Sequence, residues 1–199
     1  MIALDLVQGS ESWVNARVGI PTASCFDRLV TVSGEPSKQR LKYMYTLAGE
    51  RITGKKEDSY QNSAMLRGIE LEDEARKLYE LTTDDEVKTV GICYANEDMK
   101  YACSPDGLIG DDGGIEIKVP SLAVHVEYLL SGKMPSEYFQ QVQGNMYVTG
   151  RKFWIFMSYT PGIRPLIIRV ERDEKFIAAL DHEINKFCLE LEQITEKIK

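Results

Sequence analysis

Residues 101–120 read YACSPDGLIGDDGGIEIKVP, and a stretch of this kind has few ways to fold. Apolar Ile115 and Ile117 alternate with charged Glu116 and Lys118, the two-residue period of a strand with one buried and one polar face. Asp111, Asp112, Gly113 and Gly114 stand in front of it and tolerate positive φ. The expectation is a turn there, folding the strand Ile115–Val119 back toward Asp106. Two carboxylates and an ammonium then converge on one spot. Hard oxygen ligands suit Mg²⁺, and a lysine beside the ion can handle a water or a phosphate. This grouping points to metal-dependent phosphodiester hydrolysis, although two acids and a lysine near a turn also arise in ordinary surface hairpins. The rest of the chain has to decide.

At 199 residues the chain is the size of one domain, read here as 1–199. No run approaches the roughly 18 apolar residues of a membrane span. The N-terminus, MIALDLVQGSESW, lacks the basic and apolar regions of a secretory signal. Cys25, Cys93, Cys103 and Cys188 are scattered with no CxxC pair, which favours reduced thiols in a cytosol over zinc or disulfides. The net charge of −7 is unevenly spread: residues 57–116 carry sixteen acids against five bases, and the flanks are slightly basic. The acidity therefore lies where the proposed metal ligands are, and divalent cations would offset part of it. Broad, non-specific DNA affinity is disfavoured; a local track is not.

Along the chain, Ser10 can cap a short helix carrying Trp13, and Thr22 or Ser24 can start another. Arg17 with those hydroxyls makes either a small anion site or simple capping beside a surface arginine. A helix runs to about Thr53 before Gly54, with Lys38, Arg40, Lys42, Lys55 and Lys56 as a basic face that touches DNA or is merely solvated. Residues 63–82 form a strong helix whose apolar stripe, Leu71, Ala75 and Leu78, places Glu72 at its border. A carboxylate there needs a partner, which a metal-bound water or a lysine can supply. Three strands are expected over 86–119. A helix with His125 and Tyr128 follows, then a helix over about 136–148 presenting Gln141 and Asn145 on one face. Strands over 153–159 and 166–171 precede a long amphipathic helix from Asp173 to Lys199. The fold class is α/β: a mixed central sheet flanked by helices.

Asp106, Glu116 and Lys118 match the PD-(D/E)-x-K pattern of a large nuclease superfamily, whose core is the restriction-endonuclease-like one. Further signs extend over most of the chain, from Val7 to Asn185. They are Trp13 with Arg17-x-Gly19-x-x-Thr22-Ala23-Ser24, and Gly68-x-x-x-Glu72-x-x-Ala75. Ala102-Cys103-Ser104-Pro105-Asp106-Gly107 and Glu116-x-Lys118-x-Pro120 follow. Gln141-Val142-Gln143, Met146–Thr149 and Ile168–Lys175 complete the set. In these the chain resembles the phage lambda exonuclease and YqaJ-type viral recombinase family. His125-x-x-Tyr128 through Lys133-x-Pro135 is more YqaJ-like than lambda-like.

The resemblance implies a Mg²⁺-dependent exonuclease, with Mn²⁺ as a substitute and two metals in the site. Such an enzyme degrades the 5′ strand of linear double-stranded DNA to mononucleotides and leaves 3′ overhangs for recombination. It also implies a homotrimeric ring, a single-strand annealing partner, and a phage- or prophage-encoded protein acting in a bacterial cytoplasm. By position, Asp106, Glu116 and the carbonyl of Ile117 would hold metal, with Glu72 completing the site directly or through water. Lys118 would orient or deprotonate the attacking water, with Gln141 beside it. Arg17, Ser24 and Ser104 match a 5′-phosphate pocket, and Met65 a wedge at the duplex end. A basic loop residue near 31–36 has no clear counterpart, Lys38 being nearest, and His125 stands in for an arginine after the core lysine.

Three other readings compete. An iron–sulfur nuclease groups three cysteines near its C-terminus, where this chain has only Cys188. A PD-(D/E)-x-K endonuclease would cut closed circles. A non-catalytic DNA-end-binding scaffold has no physical need to keep Glu72, Asp106, Glu116 and Lys118 together.

Overall fold

A computed structural model describes residues 1–57 and 63–199, except the side chains of Ser63, Ala64, Met65, Leu66 and Ile69. In chain order the elements are β1 (Ile2–Leu4), α1 (Glu11–Asn15), a 3-10 helix (Ala23–Arg28), α2 (Arg40–Thr53) and α3 (Ser63–Thr83). Five strands follow: β2 (Val87–Lys88), β3 (Ile92–Tyr94), β4 (Ala102–Cys103), β5 (Gly107–Ile109) and β6 (Gly113–Lys118). Then come α4 (Leu122–Ser131), a 3-10 turn (Ser136–Tyr138), α5 (Phe139–Thr149), β7 (Phe153–Ser158), β8 (Leu166–Glu171) and α6 (Glu174–Ile198). Residues 86–119 thus hold five short strands where three were expected, and β1 had no sequence signal. Strands of two or three residues are too short to show a period. Among the described residues, no helix is long and apolar enough to cross a membrane.

The main sheet has the order β2-β5-β6-β7-β8, and only the β6–β7 pair is parallel. A parallel neighbour cannot be reached by a hairpin, so the chain must cross over one face of the sheet. The segment that does so contains α4 and α5, and this crossover lays α5 beside the polar face of β6. The smaller sheet, β1-β3-β4, is antiparallel throughout.

The catalytic-type hairpin turns earlier than its sequence suggests. Gly113 and Gly114 already lie in β6, paired with Ile109 and Leu108. The reversal is made at Gly110, at φ +48°, with Asp111 and Asp112. The two glycines are there for space. A Cβ on Gly113 would stand 2.1 Å from the Phe153 ring, and one on Gly114 would stand 2.3 Å from the indole of Trp154. Arg151 ties the tip down, its Nη1 donating to the carbonyls of Ile109, Gly110 and Gly113 at 3.1, 2.7 and 2.6 Å.

The sheet buries both faces. Ile115 and Ile117 of β6 join Ile155 and Met157 of β7 against Ala75 and Tyr79 of α3. Trp154 faces the other way, into a core with Val142 and Met146 of α5, Phe26, and the α2–α6 pair. There Tyr43 stacks on Phe187 at 5.7 Å. The stripe on α6 is core packing: Phe176, Leu180, Ile184, Phe187 and Leu191 are buried, and only Ile198 at the end is exposed. The basic face expected over 38–56 is thinner than its sequence. Arg40 points inward, 2.5 Å from Glu190 and 3.9 Å from Glu183, and Lys56 pairs with buried Glu50 at 3.1 Å. Lys38, Lys42 and Lys55 remain exposed.

Gly114→Ala forces a methyl group into the fully buried Trp154 ring, and overpacking of this kind costs about 1–3 kcal/mol. A urea titration of wild type and variant should show a loss in that range. An unchanged midpoint would mean that the ring yields freely.

Candidate active site

Glu116 is the centre of the site. Its position in β6 turns it away from Ile115 and Ile117, under α5, where it is only 2 % exposed. An ionised carboxylate at that depth needs donors. Lys118 Nζ approaches Oε1 at 2.5 Å, and Gln141 Nε2 donates to the same oxygen at 2.5 Å. Asn145 Nδ2 donates to Oε2 at 2.9 Å. Gln141 and Asn145 are four apart on α5, hence on one face, and the crossover aims that face at β6. Lys118 is shared: its Nζ also donates to Gln141 Oε1 at 3.2 Å and lies 5.0 Å from the centre of the Tyr138 ring. Burial alone would push the lysine down, but Glu116 and then Asp106 outweigh it and hold the group above its ordinary value. Lys118 is therefore an ammonium in the neutral range.

Asp106 enters from the segment before β5. Its Oδ2 accepts from the Ile117 backbone N–H at 2.6 Å, which locks the carboxylate alongside β6. Burial, then the charges of Glu116 and Glu72, push its carboxyl well up. Glu72 projects from α3 with its Oε1 2.6 Å from Arg76 Nη2. Burial pushes this group up too, against the pull of Arg76. The partner of Glu72 is thus an arginine one helical turn away, the ordinary helix-edge salt bridge that the spacing also allowed beside a lysine or a metal-bound water. The i,i+4 spacing of Glu72 and Arg76 was the available signal.

Among the described residues, no three His, Cys, Asp or Glu side chains already close around one point as a cage for an ion. The donor set nevertheless suits a hard cation. Three carboxylates face two cations; burial first, and then the charge of Glu116, raises the proton affinity of both Asp106 and Glu72. An oxygen on each stays available: among the described residues, Asp106 Oδ1 and Glu72 Oε2 have no protein donor, and Glu116 Oε2 has one.

A pocket of opposite sign adjoins this cluster. Arg17 Nη1 donates to Ser104 Oγ at 2.7 Å, and Nη2 reaches Thr22 Oγ1 at 3.4 Å and Ser24 Oγ at 3.3 Å. Its guanidinium lies over the Trp13 ring, 4.3 Å from the centre, and the indole Nε1 donates to Ser104 Oγ at 3.0 Å and to the Gly91 carbonyl at 2.9 Å. Among the described residues no carboxylate forms an ion pair with Arg17, and burial lowers its proton affinity. A half-buried cation held by hydroxyls and an aromatic face is a ready anion site. The loop after Arg17 is fixed from α2. Gly19, at φ +68°, gives its N–H to Glu50 Oε2 at 2.9 Å and takes Arg51 Nε on its carbonyl at 2.7 Å. The N-cap Ser10 accepts from Trp13 N at 3.3 Å, as the sequence suggested.

One residue separates the pockets in sequence. Pro105, between Ser104 and Asp106, has its carbonyl held by Gln8 Nε2 at 2.9 Å. A recess of about 230 Å³ lined by Ala23, Ser24, Asp27, Glu137, Tyr138 and Gln141 opens between Ser24 and Gln141.

The remaining candidates stand apart. His125 is not a DNA contact: it is 0 % exposed, with Nδ1 2.8 Å from Ser158 Oγ and Nε2 3.0 Å from the Arg164 carbonyl. It pins α4 to the sheet. Lys38 is exposed in the loop before α2, with no contact to the site. The expectation for Met65 falls outside the described side chains. Arg76, Asn145 and Tyr138 were not assigned to the site from sequence; Asn145 was legible as the α5 neighbour of Gln141, while Tyr138 gave no signal.

A model of the YqaJ-like viral recombinase domain matches residues 12–152. The fold is similar to that of an alkaline exonuclease (LHK-Exo) from Laribacter hongkongensis, at 37 % identity and TM-score 0.86, covering 95 % of this chain and 96 % of that one. The same protein in complex with dAMP aligns at 38 % identity, TM-score 0.86, with 96 % of each chain covered. A phage-related exonuclease from Haemophilus somnus 129PT shares the fold at 15 % identity and TM-score 0.72, over 90 % of this chain and 96 % of that one. A protein named ExoD from Escherichia coli (strain K12) is 32 % identical over 68 residues, 32 % of this chain and 76 % of that protein. With the match running through the 3-10 helix, α3, the hairpin and α5, the chain belongs to the YqaJ-like viral recombinase domain family.

Proposed function

We propose that the protein is a metal-dependent exonuclease that works from the 5′ ends of linear duplex DNA, with Mg²⁺ as its ion. One observation carries this reading: the counter-ion-free Arg17 pocket and the carboxylate cluster are joined through Ser104-Pro105-Asp106. A terminal phosphate held by Arg17, Ser24 and Ser104 brings the first internucleotide linkages next to Asp106 and Glu116. The similarity to an alkaline exonuclease over nearly the whole chain supports the same class of substrate.

Asp106, Glu116, Glu72 and the Ile117 carbonyl would hold the divalent ions, which supply Lewis acidity and a more acidic water. Lys118, hydrogen-bonded to Glu116 and Gln141, would orient or deprotonate the attacking water and add positive charge beside the phosphate. Gln141, donating to Glu116 and accepting from Lys118, fixes both groups. Release of mononucleotides, 3′ overhangs, a trimeric ring around the DNA, a partner that anneals single strands and action in a bacterial cytoplasm complete the proposal. So does the extension of one nuclease domain over residues 1–199. Lys38 and Met65 keep their proposed places along the DNA and at its end.

The direct test is digestion of linear and closed circular duplex DNA with Mg²⁺ or EDTA. Linear DNA alone should be degraded, only with the metal, and 5′ label should appear early as mononucleotide. Cutting of circles would point to an endonuclease, and binding without products to a scaffold. Lys118→Ala should lower the cleavage rate by about 10²–10³-fold while end binding by gel shift persists; a wild-type rate removes the lysine from the chemistry. Arg17→Ala should erase the preference for 5′-phosphorylated over 5′-hydroxyl ends, and an equal loss on both ends argues against the phosphate pocket. Sedimentation should return three times the 22.6 kDa protomer mass if the ring forms.

A further inference from the structure

A second basic side chain stands at the carboxylates, and the proposed chemistry gives it no task. Arg76 lies one helical turn beyond Glu72 on α3. Its Nη2 donates to Glu72 Oε1 at 2.6 Å, its Nη1 to Asp73 Oδ1 at 3.2 Å, and its Nε to the backbone carbonyl of Asp106 at 3.1 Å. The first two contacts stay within the helix and resemble ordinary surface pairs, worth a few tenths of a kcal/mol each. The third does not. It leaves α3 and reaches the segment entering β5, at Asp106, whose carboxylate is bonded to β6.

We infer that Arg76 is a positioning residue, a rigid bracket that fixes Glu72 relative to Asp106 so that the two carboxylates address one divalent cation. This rests on the metal-dependent reading above. The geometry supports it in three ways. The guanidinium is planar, so donors to Glu72 and to Asp106 leave it in fixed directions, and tilting either acceptor breaks a bond. The arginine side chain is only 13 % exposed, unlike neighbouring Lys77 at 71 %, so it is held among protein groups and not waving in solvent. The bonds also leave the right atoms over: Arg76 occupies Glu72 Oε1 and the Asp106 main chain, while Glu72 Oε2 and Asp106 Oδ1 have no donor among the described residues. Nothing else among the described contacts links α3 to Asp106 by a hydrogen bond. A lysine at position 76 would keep the charge, yet its single nitrogen cannot span both acceptors with the same geometry.

The test uses full-length wild type, Arg76→Met, Arg76→Lys, Glu72→Gln and the Arg76→Met/Glu72→Gln double variant. Binding of Mn²⁺ is measured without DNA by the electron paramagnetic resonance of free ion, alongside urea unfolding and cleavage against Mg²⁺ concentration. Arg76→Met should weaken Mn²⁺ binding about tenfold or more, the usual scale for a residue that orients a metal ligand. It should raise the Mg²⁺ concentration for half-maximal cleavage more than it lowers the maximal rate. The double variant should bind Mn²⁺ no worse than Glu72→Gln, because Arg76 acts through Glu72. Should Arg76→Met fail to fold, Arg76→Lys decides: weaker Mn²⁺ binding at an unchanged unfolding midpoint supports the bracket. Wild-type Mn²⁺ affinity in the Arg76 variants, or losses that multiply in the double variant, overturn it while the exonuclease reading stands. Absence of Mn²⁺ binding by wild type overturns both.

Discussion

Everything at the site depends on one carboxylate placed in the sheet. Glu116 lies beneath α5, and water does not reach it there. A lone carboxylate at that depth would be neutral or the strand would not form. The chain answers with three donors, Lys118 from the same strand and Gln141 and Asn145 from the helix above. The parallel β6–β7 pairing forces the crossover that brings that helix over β6. Fold and site are therefore the same arrangement seen at two scales: the crossover exists to close the sheet, and its inner face exists to satisfy Glu116.

The two halves of the site are unbalanced in opposite senses. At one, three carboxylates outnumber the two cations among them; at the other, a half-buried guanidinium has hydroxyls but, among the described residues, no anion. Proteins seldom leave such charges uncompensated unless something else arrives to complete them. A cation for the first and an anion for the second describe the two ends of a metal-bound phosphodiester. The net charge of −7, which argues against a DNA-binding protein when read as a whole, becomes consistent once it is resolved into these local pieces.

Much of this was legible beforehand. The Ile115–Lys118 alternation, the α3 and α6 stripes, and the shared face of Gln141 and Asn145 follow from period alone, and the structure places them as expected. What was hidden had particular causes. β1 is three residues long and is held by its pairing to β3, a long-range contact that leaves no local pattern. Gly113 and Gly114 look like turn residues because their backbones are permissive; in fact they make room for Phe153 and Trp154, forty residues away. His125 looks available to DNA until Ser158 and Arg164 are seen to occupy both its nitrogens. Arg40 and Lys56 counted as basic surface until their acidic partners appeared. In each case but Lys56, whose partner Glu50 is six residues away, the deciding neighbour is remote in sequence, and a single sequence does not name it.

The short link Ser104-Pro105-Asp106 has a mechanical meaning. Proline fixes its own φ, and Gln8 holds the carbonyl that follows it, so this tripeptide has almost no soft torsion left. The side chain at one end belongs to the anion pocket and the one at the other end to the carboxylates. The gap between them thus behaves as a gauge block, not a hinge. Thermal motion would then shift both pockets together, with the spacing between the arginine pocket and the carboxylates set by this link.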